Sequence, residues 1–297
     1  MSSQELIKTS FNLDENLSRV MESAIELAIE EDLGITGNSD ITTDSIVDEK
    51  KTASADITVK QKAVLAGLAV VESLFLKFDS TMEFERFAQE GEEIDSPPSV
   101  VLKINGLARA ILKGERLALN LLQRMSGVAT ITRSFWQKSK AYGIEILDTR
   151  KTTPCLRAFE RLAVIAGGGV NHRSGLYDQF LIKDNHIMMA GSVSRAIDLA
   201  RKAHPEKKIE IETRNLDEVQ EAVLKEADII LLDNMSPAMV KEAVGLVSGR
   251  ARIEISGGIT SETIDGYFIE GVDAISIGAL THSAKAIDIG LDIVRVD

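Results

Sequence analysis

The chain has 297 residues, an ordinary apolar content of 44% and a formal net charge of -12 at pH 7. This length allows one large domain or two moderate ones, each with a substantial core. A strongly acidic chain repels polyanions, which argues against a nucleic-acid-binding protein. The single cysteine, Cys155, excludes an internal disulfide and is typical of a reducing compartment. No apolar run reaches membrane length and the first twenty residues lack the regions of a signal peptide, so we expect a cytoplasmic protein that binds no membrane.

The first third of the chain predicts a small α/β sandwich. Apolar residues at helical spacing predict an amphipathic helix over about 17–31, and a polar, turn-rich stretch predicts a loop over 34–43. Alternation in ADITVK and SVVLKI predicts two strands, and VVESLFLKF predicts a short helix between them. Pro97-Pro98 marks a break before the second strand. The apolar positions here are most simply core, and no motif carries chemistry.

A long helical region follows, from Gly114 to Tyr142, with an interruption predicted near Ser126-Gly127. Arg116 and Arg124 are polar exceptions in its first segment. An arginine on a helix is usually solvated, so the helix pattern by itself gives Arg116 no function.

From Ile144 onward, short apolar runs that end in polar or glycine residues alternate with helical patterns. This alternation predicts parallel strands, and polar residues at the carboxyl ends of such strands are typical of the active face of a (β/α) barrel. Asn215 and Ser236 are predicted helix N-caps, with Pro237 at a first helical position. Six strands can be counted, fewer than the eight of a closed barrel. They are IEILDTRK, FLIKDN, KIEIET, DIILLDN, RIEISGG and DAISIG.

The densest chemistry lies between Thr149 and His186. Six lysines and arginines stand there against three acids, a local charge of +3, together with His172 and His186. A basic island in an acidic chain is suited to focusing small anions into one pocket, although a solvated, salt-bridged face is the alternative. Gly167-Gly168-Gly169 permits unusual backbone angles and the close approach of a ligand or another chain.

Acids and glycine turns follow the later strands. Glu212 and Asp233 end neighbouring strands, so their carboxylates should converge, and Glu210 should point the same way as Glu212. Glu210 is equally well interpreted as a buried partner of the basic cluster. Two carboxylates alone would suit a glycosidase or a metal hydrolase, but the neighbouring cations argue against both. The turns SGG at 256–258 and SIG at 276–278 stand where barrels commonly hold a phosphate on backbone N–H groups.

The stretches TRKTTP, LRAFERLAVIAGGGVNHRSGLYD and LIKDNH closely resemble the quinolinate phosphoribosyltransferase family, also called nicotinate-nucleotide pyrophosphorylase (carboxylating). The resemblance is strong from about Glu115 to His282 and loose before it. It implies an α/β protein with an incomplete, seven-stranded (β/α) barrel, so one strand escapes the count above. It also implies an N-terminal α/β sandwich at 1–115, the barrel at 116–281 and a tail at 282–297 that returns to the sandwich. The alternative for the tail is a last helix on the barrel.

The family transfers phosphoribosyl from phosphoribosyl pyrophosphate to quinolinate with decarboxylation, in the biosynthesis of NAD. The resemblance implies that Arg150, Arg173 and Lys183 clamp the two carboxylates of quinolinate, with Arg116 from a partner chain, since arginine binds carboxylates in bidentate fashion. His172 lines the same pocket. The implied assembly is a homodimer with shared active sites, or a hexamer.

The resemblance assigns catalytic roles to Lys151, Glu212 and Asp233. Lys151 neutralises the departing pyrophosphate, the two acids accept ribose hydroxyls, and Mg²⁺ is carried on the pyrophosphate near them with its ligands unassigned. The two glycine turns hold the 5'-phosphate. The full substrate-binding set is then Arg116, Thr149, Arg150, Lys151, His172, Arg173, Lys183, Glu212, Asp233, Ser256, Gly257, Gly258, Ser276, Ile277 and Gly278.

Other functions stay open at this point. Relatives that cluster with molybdenum-transport proteins share much of this scaffold, a Schiff-base lyase could use Lys183, and an anion-binding protein need not be an enzyme. The family usually has a lysine where this chain has Arg161, so Arg161 is left out of the site. Cys155 has no activating motif and is a weak candidate for a nucleophile.

Overall fold

The computed structural model describes residues 15–35 and 39–297. Its helices are α1 (Glu15–Leu33), α2 (Ile41–Ile46), α3 (Leu68–Phe78), α4 (Ala108–Ser139), α5 (Arg157–Ala166), α6 (Asp184–Ala190), α7 (Val193–Ala203), α8 (Leu216–Leu224), α9 (Pro237–Val247) and α10 (Ala279–His282). Its strands are β1 (Thr52–Val59), β2 (Ala63–Val64), β3 (Glu83–Arg86), β4 (Glu93–Ile94), β5 (Ser99–Leu107), β6 (Glu145–Leu147), β7 (Phe180–Ile182), β8 (Ile209–Thr213), β9 (Ile229–Asp233), β10 (Arg252–Ser256), β11 (Ala274–Ser276) and β12 (Ile289–Val296). No helix of these described ranges is long and apolar enough to cross a membrane.

The chain divides into two compact units. The first contains the described residues up to 133 together with 152–168 and 281–297, and the second contains 134–151 and 169–280. The division predicted from the sequence assigned all of 116–281 to the barrel. In the structure, 116–133 and 152–168 group with the first unit instead.

The first unit is built on an antiparallel sheet in the order β12-β1-β5-β3. Strand β1 buries Ala53, Ala55, Ile57 and Val59 on one face, as the alternation predicts. Helix α3 is buried along most of its length, and α1 buries Met21 and Ile25 among others at helical spacing. The predicted strands and helices of this region are therefore confirmed.

The C-terminal tail is a strand of the first unit. Strand β12 pairs with β1 from Val59 opposite Ile289 to Ala53 opposite Val296. The predicted return of the tail to the sandwich is confirmed, and the alternative of a last helix on the barrel is wrong. The tail adds the edge strand that covers β1 on its second side.

Two local predictions in this unit are wrong. The predicted loop at 34–43 already contains the start of α2, which Asp40 caps by accepting hydrogen bonds from the N–H groups of Thr42 and Thr43; residues 36–38 lie outside the described ranges. Helix α4 runs through Ser126-Gly127 without the predicted interruption. A Cβ at Gly127 would lie 2.1 Å from the carbonyl oxygen of Lys285, so this glycine serves a close backbone approach and does not end a helix.

The second unit contains a parallel sheet in the order β6-β11-β10-β9-β8-β7, the six strands counted in the sequence. A seventh position exists as a single parallel bridge between Val170 and Leu147, beside β6. One apolar residue after three glycines carries no strand pattern, which explains why it escaped the count. The N-caps Asn215 and Ser236 are confirmed. The fold is an incomplete (β/α) barrel with an N-terminal α/β sandwich that the tail completes.

Candidate active site

A cavity of about 140 Å³ opens at the carboxyl edge of the parallel sheet. Eight of the residues predicted for the site line it, together with three that the prediction did not include. The predicted residues are Thr149, Arg150, Lys151, His172, Arg173, Lys183, Ser256 and Ser276, and the additional ones are Leu181, Leu231 and Glu254.

The barrel topology explains why these residues meet. Thr149, Arg150 and Lys151 follow β6, and His172 with Arg173 follows the Val170 bridge. Likewise Lys183 follows β7, while Ser256 and Ser276 end β10 and β11. Because all strands of the sheet are parallel, their carboxyl ends face one edge, where (β/α) barrels place their active sites.

Two arginines and two lysines line this cavity. Burial, and then the positive charge of Arg150, lower the pKa of the Arg173 guanidinium, which also donates a hydrogen bond to the carbonyl oxygen of Gln179 at 3.1 Å. Like charges held close together cost free energy unless an anion neutralises them. The arrangement of Arg150, Lys151, Arg173 and Lys183 therefore favours binding of a multiply charged anion.

The predicted carboxylates lie at the same edge. Glu212 accepts a hydrogen bond from the Lys183 ammonium at 2.8 Å, and one of its oxygens lies 3.9 Å from the Arg214 guanidinium. Arg214 in turn pairs with Asp184 at 2.5 Å. Asp233 ends β9 and accepts a hydrogen bond from the side chain of Asn234 at 2.8 Å. Glu212 is 8% exposed and has a cation beside each of its oxygens, and neither Glu212 nor Asp233 is among the residues that line the cavity.

The two glycine turns differ in the backbone space and the N–H donors that they provide for a phosphate. Gly257 has a φ of +96° and Gly258 a φ of +62°, and a Cβ at Gly257 would lie 2.3 Å from the side chain of Asn234. The side chain of Asn234 thus fills the space beside Gly257, whereas a Cβ at Gly258 would meet no atom within 4 Å, so the room for a ligand close to the backbone is at Gly258. In the second turn the N–H of Ile277 already donates to the carbonyl oxygen of Leu147 at 3.0 Å, so Ile277 offers no backbone donor, while Gly278 directly precedes the short helix α10.

A buried acidic cluster lies against the cavity. His172 Nε2 is 3.2 Å from the Glu210 carboxylate and 3.5 Å from that of Glu254, and the side chain of Asp148 accepts the His172 backbone N–H at 2.7 Å. Burial alone would lower the pKa of His172, but the Glu210 and Glu254 carboxylates raise it to about 10. Of the two interpretations of Glu210 in the sequence, the structure shows the buried partner of a basic group.

Glu254 is the charged one of the three cavity residues that were not predicted from the sequence. It lies in the middle of β10, 2% exposed, where a barrel strand ordinarily carries an apolar side chain. The available signal was the pattern Ile-Glu-Ile, which occurs at 144–146, 209–211 and 253–255 and places an acid between two buried isoleucines.

Arg116 belongs to the first unit. Its guanidinium is 63% exposed and lies 3.9 Å from Glu115, so it has no strong ion pair among the described residues. Arg161, left out of the predicted site, is also in the first unit and is 8% exposed. Cys155 is exposed and has a φ of +65°.

The fold and the cavity define an incomplete (β/α) barrel with an anion-binding site at the carboxyl edge of its strands. Models of the quinolinate phosphoribosyl transferase N-terminal and C-terminal domains match residues 40–126 and 128–292. The chain therefore belongs to the quinolinate phosphoribosyltransferase family.

Individual relatives agree with this assignment. The chain is 40% identical over 258 residues to a probable nicotinate-nucleotide pyrophosphorylase (carboxylating) of Bacillus subtilis (strain 168), which covers 86% of this chain and 89% of the relative. It is 37% identical over 292 residues to quinolinate phosphoribosyltransferase (decarboxylating) 1b of Nicotiana tabacum, covering 92% and 82%. The crystal structure of NadC from Streptococcus pyogenes matches with a TM-score of 0.86 at 40% identity, over 93% of this chain and 97% of that one.

Proposed function

We propose that this protein is a decarboxylating quinolinate phosphoribosyltransferase. It transfers phosphoribosyl from phosphoribosyl pyrophosphate to quinolinate and yields nicotinate mononucleotide, pyrophosphate and carbon dioxide, in the cytoplasmic biosynthesis of NAD. The observation that carries the proposal is one cavity that gathers four cations from three strand ends, one of which, Lys183, is hydrogen-bonded to Glu212. The names of the relatives support the same reaction.

The cavity suits both substrates. Arg150 and Arg173 present planar guanidinium groups that can each grip a carboxylate through two hydrogen bonds, and Lys183 adds a third charge for the dianionic quinolinate. Leu181 and Leu231 provide apolar surface for the pyridine ring. These five side chains are therefore suited to bind a small, flat ring that carries two negative charges.

The sugar phosphate requires different partners. Glu212 and Asp233 accept hydrogen bonds from ribose hydroxyls, since each carboxylate has one oxygen that Lys183 or Asn234 does not engage. The turn at 256–258 receives the 5'-phosphate on its backbone. The N–H of Ile277 already donates to the carbonyl oxygen of Leu147 and cannot bind the phosphate. The turn at 256–258 and Ser276 therefore contribute more of the phosphate contacts than the equal use of both turns predicted from the sequence.

The chemistry is positioning and charge stabilisation. The bond from ribose C1 to pyrophosphate breaks with its electron pair on the leaving oxygen, whose charge Lys151 neutralises. The pyridine nitrogen donates its lone pair to the oxocarbenium-like C1 and becomes positive. The adjacent carboxylate then leaves as carbon dioxide, and the electron pair left on the ring carbon is stabilised by the cationic nitrogen beside it. A proton taken up from solvent completes the C–H bond of the product.

Mg²⁺ fits this site as a partner of the pyrophosphate. It prefers carboxylate and phosphate oxygens, and the cavity edge offers carboxylates beside lysine and arginine. We assign the ion to the pyrophosphate oxygens and assign no protein ligand. When bound it adds neutralising charge to the leaving group. Removal of divalent cations by EDTA should abolish activity, and Mg²⁺ should restore it.

The direct test is an assay with quinolinate, phosphoribosyl pyrophosphate and Mg²⁺ that follows carbon dioxide and pyrophosphate together. Equal release of both, reduced at least a hundredfold in Lys151→Ala and unchanged in the exposed control Lys202→Ala, is expected. Pyrophosphate without carbon dioxide in the wild type would mean transfer to another base. Reductive trapping of a carbonyl substrate on Lys183 by borohydride would point to a Schiff-base lyase instead.

The exposed Arg116 supports a homodimer with shared sites, in which this residue completes the neighbouring subunit's cavity. Mixing inactive Arg116→Ala with inactive Lys151→Ala protein should restore up to a quarter of the wild-type activity, because hybrid dimers contain one intact site. Subunit exchange is verified with differently tagged chains. No recovery in exchanged dimers would contradict the shared site.

A further inference from the structure

Arg214 is a charged residue at the edge of the site that the proposed reaction does not yet use. It directly follows β8 and directly precedes Asn215, the N-cap of α8. Its backbone N–H donates to the side chain of Glu218 at 2.7 Å, while the side chain of Asn215 accepts the Glu218 N–H at 2.9 Å. These reciprocal hydrogen bonds are those of a helix capping box, so they fix the backbone of Arg214 at the carboxyl end of β8.

Three carboxylates lie around the guanidinium of Arg214. Its Nη2 is 2.5 Å from Asp184, the first residue of α6, and 3.9 Å from Glu212. The hydrogen bond and charge of Asp184, and then the charges of Glu212 and Asp233, raise the pKa of Arg214. The group therefore remains a cation that is held beside the two acids assigned to the ribose.

This guanidinium has donors that the protein does not use. A guanidinium carries five N–H groups in one plane. Within the described ranges, the hydrogen bond of the guanidinium is made by Nη2 to Asp184, and Nε and Nη1 donate to no protein group. The side chain is 53% exposed, so a ligand can reach these donors from solvent.

The order of the strands indicates which part of a substrate lies beside Arg214, an inference that rests on the proposed function. Strands β10, β9 and β8 are consecutive neighbours in the sheet. The turn after β10 receives the 5'-phosphate, and Asp233 near the end of β9 and Glu212 near the end of β8 accept the ribose hydroxyls. In ribose, the hydroxyl-bearing carbons C2 and C3 separate C1 from C4, which carries the 5'-phosphate arm. The sugar therefore places C1 on the side of β8, where Arg214 lies.

We propose that Arg214 binds the pyrophosphate group on C1 of phosphoribosyl pyrophosphate and stabilises it as the leaving group. The proposed function uses Arg150, Arg173 and Lys183 for quinolinate, which leaves Lys151 and the Mg²⁺ ion for the pyrophosphate. Arg214 adds a positive charge on the solvent side of the site. As the bond from C1 to oxygen breaks, its electron pair moves to that oxygen and the negative charge of the pyrophosphate grows. The contact with Arg214 is therefore stronger in the transition state than in the bound substrate.

Steady-state kinetics of Arg214→Gln should separate the two substrates. The KM for phosphoribosyl pyrophosphate should rise about tenfold, the usual effect of losing one hydrogen bond between charged groups, and kcat should fall as well. The KM for quinolinate should stay within about twofold of wild type. Arg214→Lys keeps the charge without the planar fork and should recover part of the loss. The matched control Arg195→Gln, which removes an exposed arginine of α7, should change neither KM. An equal rise of both KM values in Arg214→Gln would overturn the proposal.

Asp184→Asn tests the alternative that Arg214 only ties α6 to the end of β8. This variant removes the ion pair but leaves the guanidinium in the protein, so the KM for phosphoribosyl pyrophosphate should change by less than about threefold. If Arg214 had only this structural role, Asp184→Asn and Arg214→Gln would raise that KM equally. Such an equal rise would count against a contact with the pyrophosphate.

Calorimetric titration with inorganic pyrophosphate and Mg²⁺ tests the same contact without turnover. The Kd should rise about tenfold in Arg214→Gln and stay within about twofold of wild type in Arg195→Gln. Unchanged pyrophosphate binding in Arg214→Gln would contradict the proposal. If wild type and Arg195→Gln bind pyrophosphate but release neither product from the two substrates, the proposed function fails while the contact at Arg214 stands.

Discussion

Replacing Glu160 by alanine should lower the free energy of unfolding of the first unit by about 3–5 kcal/mol, the usual cost of breaking a buried ion pair. Glu160 lies in α5 and is 0% exposed. Its Oε1 accepts hydrogen bonds from Arg124 Nη2 at 2.7 Å and from Thr153 Oγ1 at 2.8 Å, and its Oε2 accepts the Thr153 N–H at 3.1 Å. The carboxylate thus joins α4, α5 and the loop that precedes α5.

The size of this loss follows from the groups that Glu160→Ala would leave without a partner. Arg124 is 24% exposed and also donates to the carbonyl oxygens of Thr281 and Ala284, so without Glu160 it becomes a partly buried charge with no counter-ion. The Thr153 N–H would lose its acceptor, which adds about 1 kcal/mol. Glu160→Gln keeps an acceptor but loses the charge, and about 2 kcal/mol is expected for it.

Urea unfolding followed by circular dichroism measures the effect, with Glu85→Ala, an exposed acid of the same unit, as the control that should change stability by less than about 0.5 kcal/mol. A double-mutant cycle with Arg124→Met should give a coupling energy of at least about 2 kcal/mol. Additive single effects, or a loss below about 1 kcal/mol for Glu160→Ala, would refute this account of the pair.

Three further predictions concern the backbone and the pH dependence of the first unit. Cys155 has a φ of +65°, so Cys155→Gly should raise stability by about 1 kcal/mol in urea unfolding, and a loss would show that the turn is not strained. Gly127→Ala should cost about 3 kcal/mol, because its methyl group would lie 2.1 Å from a backbone oxygen; a neutral effect would contradict the close approach. Burial raises the pKa of Glu90 above 4.5, although the N–H groups of Gly67 and Ala69 lower it. The neutral form of Glu90 therefore contributes to the free energy of unfolding fully below pH 4.5. This contribution is lost as the pH rises through the folded-state pKa. Glu90→Gln should therefore gain stability relative to wild type between pH 4 and pH 8, and a constant difference across that range would be inconsistent with this sign.

The sequence by itself determined the repeating elements and the edge at which chemistry gathers. Strand and helix periods are local properties, so the six parallel strands, the caps at Asn215 and Ser236 and the burial of α1 follow from short windows of residues. Polar residues directly after buried strands have only one edge to occupy in a parallel sheet, which is why Arg150, Lys183 and their neighbours could be assigned to one site.

Only the tertiary structure decided which buried groups meet across that site. The pairing of His172 with Glu210 and Glu254 joins residues 38 and 82 positions apart in sequence, and no local pattern encodes such a contact. The same reason explains why the helix is unbroken at Gly127. The absence of a side chain at this glycine makes room for the backbone of Lys285, which is distant in sequence. Periodicity is set by neighbours along the chain, whereas the protonation of a buried acid and the space beside a glycine are set by residues that the fold brings in from elsewhere.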